Sequence, residues 1–298
     1  MQPAFGSELF MLFFFLSIVV VGCAHQVPRP AAPFASVGTG PLIIAHRGGS
    51  LEAPENTLAS IRHGVAVGAD WQEVDVTLSK DGEVVVIHDD TLERTTTGKG
   101  EVTAHSLAQL QKLSAGRPQW AGYVANELAT RGLEIPDFGT RYAKERIPTL
   151  REVLLVPDSR VMIELKTHPD PAKLAEEVIS VIDETNARGR VALGSFDLAT
   201  LEAVVARDPS LPLIAILDDP ALIQQRLDTL PVAVLAVYAP LAAQALQIAP
   251  ATVAVWAWTA YAPDDAVTLA ELGVHGVITD APAAVLARLR REPPLLVE

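Results

Sequence analysis

From residue 42 onward, the chain alternates between two hydrophobic patterns. Short runs rich in Val, Ile and Leu occur at 42–46, 72–77, 84–88, 161–166, 191–195, 213–217, 232–238, 253–259 and 276–279. Between most of them lie longer Ala- and Leu-rich stretches, at 57–67, 174–185, 198–207, 221–230, 242–248 and 264–272. The short runs predict strands and the long ones helices. Strand and helix in alternation predict a parallel sheet. Nine runs are one too many for an eight-stranded barrel, and Lys80-Asp81-Gly82 accounts for the extra one. Three turn residues cannot make a parallel crossover, which needs about a dozen, so 84–88 returns antiparallel to 72–77. We therefore expect an α/β fold, a (β/α)8 TIM barrel at 42–298 with a hairpin extension after strand 2. Residues 107–147, with Trp120, Tyr123, Phe138 and Tyr142, break the rhythm and predict a small insertion, a lid or subdomain.

The N-terminus follows another pattern. Residues 9–21 form an apolar run shorter than the roughly 20 residues of a membrane span but suited to a signal peptide core. It ends in Val20-Val21-Gly22-Cys23, similar to a bacterial lipoprotein cleavage site. Residues 1–23 are expected to be a signal peptide with Cys23 as the lipidated residue, and the Pro-rich 24–41 a tether. The segment before the run lacks Lys and Arg and carries Glu8, and Met11 offers an alternative start. The expectation is an exported, membrane-anchored lipoprotein on the periplasmic or outer-membrane face, with a soluble periplasmic protein as the alternative. Cys23 is the only cysteine, which excludes an intramolecular disulfide.

The net charge is −13, from 23 Lys and Arg against 36 Asp and Glu. That excludes a nucleic-acid surface and leaves small phosphoesters open, provided the site itself supplies cations. Nothing in the sequence points to a protein partner.

In such barrels, chemistry sits at the C-terminal ends of the strands. The charged residues collect there. Ile43-Ile44-Ala45 leads to His46-Arg47, the second run carries Glu73-Val74-Asp75, the hairpin delivers His88, and Ile163 leads to Glu164-Leu165-Lys166. Residues two apart in a strand share a face, so Glu73 sits beside Asp75 and Glu164 beside Lys166. Side-by-side buried carboxylates need a proton or a cation, and oxygen ligands suit Mg²⁺ or Ca²⁺. Asp89 and Asp90 read as turn residues. Glu55-Asn56-Thr57 reads equally as a cap for the first helix or as part of the site, and Trp258 as core or as an aromatic wall.

The segments IIAHRGGSLEAPENTLASI, GADWQEVDVTLSKDGEVVVIHDDTLERTTTGKG, IPTLREVL, IELK, WAWT and GVITDAP resemble, in order, the glycerophosphodiester phosphodiesterase family. The resemblance spans about 42–282. It implies a phosphodiesterase-type barrel with catalytic histidines at His46 and His88 and metal ligands at Glu73, Asp75 and Glu164. It further implies phosphate contacts from Arg47 and Lys166, Glu55 close to the site, one divalent cation, Mg²⁺ or Ca²⁺, and a small glycerophosphodiester as substrate. His275 stands where an aspartate is common. The function expected is metal-dependent hydrolysis of glycerophosphodiesters to glycerol 3-phosphate and an alcohol. Two alternatives stay open: a lysophospholipase D-type activity on larger lipids, and a non-catalytic phosphoester-binding lipoprotein.

Overall fold

The computed structural model describes residues 33–35, 40–116, 128–134, 137–138 and 140–291. The predicted signal segment with Cys23, most of the tether, and Trp120 and Tyr123 lie outside the described residues.

The strands are β1 (Leu42–Ala45), β2 (Trp71–Leu78), β3 (Val84–Val86), β4 (Val161–Leu165), β5 (Val191–Ser195), β6 (Leu213–Leu217), β7 (Val232–Tyr238), β8 (Ala254–Ala260) and β9 (Gly276–Thr279). Their order is β1-β9-β8-β7-β6-β5-β4-β2, and β1 also pairs β2, which closes eight parallel strands into a barrel. The ninth, β3, lies antiparallel on the far end of β2, with Val76 opposite Val86 and Leu78 opposite Val84. The chain is a (β/α)8 TIM barrel. β2 extends one residue past the predicted run at each end, and its last three residues are paired by β3. His46 and His88 lie just past their strands, His46 in a 3₁₀ turn at His46–Gly48 and His88 two residues beyond β3.

The period of two sorts each strand into faces. One face packs Ile43, Val74, Val76, Ile163, Leu165, Leu193 and Val255 against the helix layer. The other turns Leu42, Ile44, Trp71, Met162, Ile214, Ile216, Trp256 and Ile278 into the barrel. The helices are α1 (Leu58–Val67), α2 (Leu107–Leu110), α3 (Leu150–Leu154), α4 (Pro171–Glu184), α5 (Leu198–Arg207), α6 (Leu222–Thr229), α7 (Ala242–Ile248), α8 (Pro263–Leu272) and α9 (Pro282–Arg291). In α4, Leu174, Val178 and Ile182 recur at four-residue spacing and are buried on the sheet side. It begins before the first apolar residue because Asp170 accepts from Lys173 N and Pro171 fits the first turn. Beside the barrel, Val85, Ile87, Leu92, Val102, Leu110, Ala115 and Ile147 form a separate apolar cluster. It joins the hairpin to both ends of the 107–147 stretch.

The barrel floor is aromatic. Phe34 stacks on Trp71, ring centroids 5.7 Å apart, and Trp71 lies 5.8 Å from Trp256. The Trp256 indole N–H donates to Phe34 O at 2.9 Å, so burial leaves no polar group unpaired there. Gly276 makes room: a Cβ at that position would sit 2.5 Å from the Trp256 ring.

Candidate active site

The inner files that are apolar at the floor end in chemistry at the mouth. Leu42 and Ile44 lead to His46, Trp71 to Glu73 and Asp75, Met162 to Glu164 and Lys166, Trp256 to Trp258, and Ile278 to Asp280.

The turn after β1 is shaped by steric exclusion. Gly48 has φ 83°, and a Cβ there would lie 2.5 Å from the Ser60 hydroxyl, so only glycine lets α1 pack this close. Arg47 has φ 53° and Asn56 φ 56°, left-handed values that cost a non-glycine residue of order 1–3 kcal/mol. Both are held by the carboxylates below them. Arg47 N donates to Glu73 Oε2 at 2.8 Å, and Asn56 Nδ2 donates to Asp75 Oδ2 at 2.8 Å.

Asp75 and Glu164 are partners in the β2–β4 register, and Glu73 sits one same-face step below Asp75. One oxygen from each of Glu73, Asp75 and Glu164 lies within 4.8 Å of the others. Lys166 Nζ donates to Glu164 Oε1 at 2.8 Å and to Asp75 Oδ1 at 3.4 Å. The triad is electrostatically uneven. Burial, then the charges of Asp75 and Glu164, push Glu73 up to about 8. Burial pushes Asp75 the same way, but His88, Lys166 and Arg47 outweigh it and hold Asp75 well below the usual carboxylate range. Glu73 Oε1 is buried without a hydrogen-bond partner among the described residues. An orphaned buried oxygen beside two more carboxylates is a donor set that a hard divalent cation fits.

Each histidine is held by a carboxylate. His46 Nδ1 lies 2.6 Å from Asp280 Oδ1, which also accepts from Ser50 Oγ at 2.5 Å. Burial lowers the His46 pKa, but Asp280 more than offsets this and the net shift is upward. His88 Nδ1 lies 2.7 Å from Asp89 Oδ1. Asp89 is therefore no simple turn residue: it accepts from His88 and, through both oxygens, from Arg94 Nε and Nη2 at 2.6 and 2.8 Å. Arg94 in turn grips both oxygens of Glu55, at 2.6 and 2.9 Å, and Glu55 accepts from Arg47 at 2.9 Å. Burial would raise Glu55, but Arg47 and Arg94 bring it down to about 2. Glu55 belongs to this charge ladder, while Thr57 caps α1 by accepting from Ser60 N.

Phe196, Trp258 and Tyr261 wall a cavity of about 310 Å³ that also touches His46, His88 and Glu164. Trp258 sits between Phe196 and Tyr238, with centroids 5.6 and 5.5 Å away, and its N–H donates to Ala236 O. His46, Arg47, Glu55, Glu73, Asp75, His88, Glu164, Lys166 and Trp258 thus converge at one end of the barrel. Cys23 lies outside the described residues. His275 lies before β9, where its Nδ1 accepts from Val255 N.

Sequence reasoning did not single out Asp280, Ser50, Arg94, Phe196 or Tyr261. Asp280 carried a usable signal, being two residues past the inward Ile278 on a strand that ends at Thr279. Arg94 had none, since its partner Glu55 is 39 residues away in a different loop.

Residues 46–284 match the glycerophosphoryl diester phosphodiesterase family. The glycerophosphodiester phosphodiesterase of Caldanaerobacter subterraneus is 33% identical over 261 residues, 84% of this chain and 98% of that protein. Among solved structures, an Oleispira antarctica phosphodiesterase in complex with the product sn-glycerol-3-phosphate superposes with a TM-score of 0.73 at 30% identity, covering 84% of this chain and 97% of that one. The glycerophosphodiester phosphodiesterase of Agrobacterium tumefaciens has a TM-score of 0.66 at 25% identity, covering 83% and 99%.

Proposed function

The chain belongs to the glycerophosphoryl diester phosphodiesterase family, and from that premise we propose that it hydrolyses small glycerophosphodiesters to sn-glycerol 3-phosphate and an alcohol, with a divalent cation bound at Glu73, Asp75 and Glu164. The observation that carries this reading is the pair of carboxylate-held histidines flanking the buried triad.

Reaction gathers negative charge on the non-bridging phosphate oxygens, and Arg47 and Lys166 stand beside the triad to offset it. A bound Mg²⁺ or Ca²⁺ supplies Lewis-acid stabilisation of the same oxygens. With Nδ1 engaged by a carboxylate, His46 and His88 each keep Nε2 for proton transfer. One takes the proton of the attacking hydroxyl, and the other protonates the departing alcohol oxygen. The pair serves attack by water and attack by the glycerol 2-hydroxyl equally. A mouth of about 310 Å³ is at the small end of ligand cavities, roughly 300–1,000 Å³, and favours a short diester over a lysolipid.

The test is release of glycerol 3-phosphate from a glycerophosphodiester. EDTA should abolish turnover, and Mg²⁺ or Ca²⁺ should restore it. Full turnover after exhaustive chelation removes the metal from the proposal. We propose in addition that the chain is exported and anchored to a membrane through Cys23; no helix among the described residues is long and apolar enough to span one. Cys23→Ser should leave the membrane fraction, and retention as firm as wild type would refute the anchor.

A further inference from the structure

Pro33, Phe34 and Ala35 belong to the Pro-rich stretch between Cys23 and the barrel, and they are built into the barrel floor. Phe34 lies against both floor tryptophans, its ring centroid 5.7 Å from that of Trp71 and 6.2 Å from that of Trp256. The Phe34 carbonyl accepts from the Trp256 indole N–H at 2.9 Å, and the Pro33 carbonyl accepts from that of Trp71 at 3.4 Å. Trp71 and Trp256 are 1% and 0% exposed. Each buried indole N–H therefore finds its acceptor on the tether, and releasing the tether would take both acceptors away. Tether and floor pack as one unit.

That attachment limits where the barrel can stand relative to an anchored Cys23. Ten residue steps run from Cys23 to Pro33, at most about 33–36 Å of fully extended chain. A flexible chain of that length averages roughly 17 Å from end to end. The barrel itself is larger. A compact body of roughly 250 residues has a radius of gyration of about 18 Å, equivalent to a sphere about 46 Å across. With the mouth against a membrane, the floor would stand about 46 Å above it, beyond the full reach of the tether. With the barrel on its side, the centre of the floor would stand about 23 Å up, already more than the average extension. Only with the floor toward the membrane is the tether unstretched.

We infer that the barrel stands floor-first on the lipid surface, with its mouth turned to the aqueous phase. The site at Glu73, Asp75 and Glu164 then draws its diester from solution and does not meet the phosphodiesters of the bilayer that holds it. This rests on the Cys23 anchor and the phosphodiesterase reading above, and it adds the phase from which the substrate comes.

The test uses the lipidated full chain in vesicles of phosphatidylethanolamine and phosphatidylglycerol that carry an acceptor dye on a lipid. Lipidation occupies the only cysteine of the chain, so one introduced cysteine takes a donor dye specifically. Arg160→Cys marks the floor and Thr167→Cys the mouth, at opposite ends of β4 and roughly 23 Å apart along the strand. Energy transfer to the membrane should be at least about twofold stronger from position 160 than from position 167, given that separation. Inserting about twenty Gly and Ser residues after Pro28 gives the tether about 100 Å of reach and should bring the two signals together. Equal or reversed transfer without the insertion overturns the orientation, and so does a difference that survives the insertion unchanged. On a dissolved glycerophosphodiester, the anchored chain and the free Cys23→Ser variant should have the same kcat/KM. A loss of about tenfold on anchoring would mean a mouth obstructed by the bilayer, and would also overturn the orientation. Wild-type protein that fails to sediment with the vesicles overturns the anchor, and the orientation with it. Turnover by neither form overturns the phosphodiesterase reading, while the dye signals still decide the orientation.

Discussion

The floor and the mouth of this barrel are built from the same inward-facing strand files, yet they follow opposite rules. At the floor, Phe34, Trp71 and Trp256 bury large apolar surface, and the Trp256 N–H has its acceptor. At the mouth, the same files hold Glu73, Asp75, Glu164, His46 and Asp280 close together, with the Glu73 pKa pushed up to about 8 and one of its oxygens without a hydrogen-bond partner among the described residues. The floor is arranged for stability alone. The mouth gives up stability so that charges stand where a phosphate and a cation would neutralise them. Removing a side chain should therefore cost folding at one end and chemistry at the other.

The largest expected effects are at the mouth. His46→Ala and His88→Ala should each fold normally and lose about 10²–10⁴-fold in turnover, the range typical of an acid–base group. A p-nitrophenyl phosphodiester needs no protonated leaving group, so it should partly rescue whichever variant lost the acid. Near-wild-type rates in both variants would erase the contrast with the floor. Glu73→Gln should keep its melting temperature and lose most metal affinity, measured by calorimetry.

At the floor the contrast reverses. Trp256→Ala should cost about 3–5 kcal/mol in chemical denaturation, the usual range for a buried aromatic, with kcat on the folded fraction unchanged. A loss of kcat larger than the loss of stability would mean that floor and mouth are coupled.

A pH series sharpens the electrostatic side. Glu73 has a raised folded-state pKa, so its contribution to stability is present while it is protonated. That contribution is complete below about pH 4.5 and is lost as the pH rises through about 8. The melting temperature of chelated protein should therefore fall between those values, and saturating Mg²⁺ or Ca²⁺ should flatten the fall by binding the ionised form. A chelated protein whose melting temperature rises across the range would contradict the strained triad. The smallest effect concerns neither end directly. Thr57→Ala removes the α1 cap and should cost about 1 kcal/mol with activity retained, whereas Glu55→Gln, two residues away, should impair turnover by loosening Arg47 and Arg94.

The sequence by itself determined what is local. Period-two runs marked the strands and assigned Glu73 with Asp75, and Glu164 with Lys166, to common faces. The three-residue turn at Lys80–Gly82 compelled an antiparallel return. All of this follows from backbone geometry over a few residues. What only the tertiary structure decided is which groups meet once the barrel closes. Asp280 reaches His46 across 234 residues because β9 pairs β1. Glu164 joins Asp75 because β4 pairs β2 in one particular register. Asp89, read locally as a turn, becomes the support of His88, because Arg94 and Glu55 fold against it from separate loops. Strand alternation is a property of each residue and its neighbours, but a charge is placed by its partners, and barrel closure chooses those from anywhere in the chain.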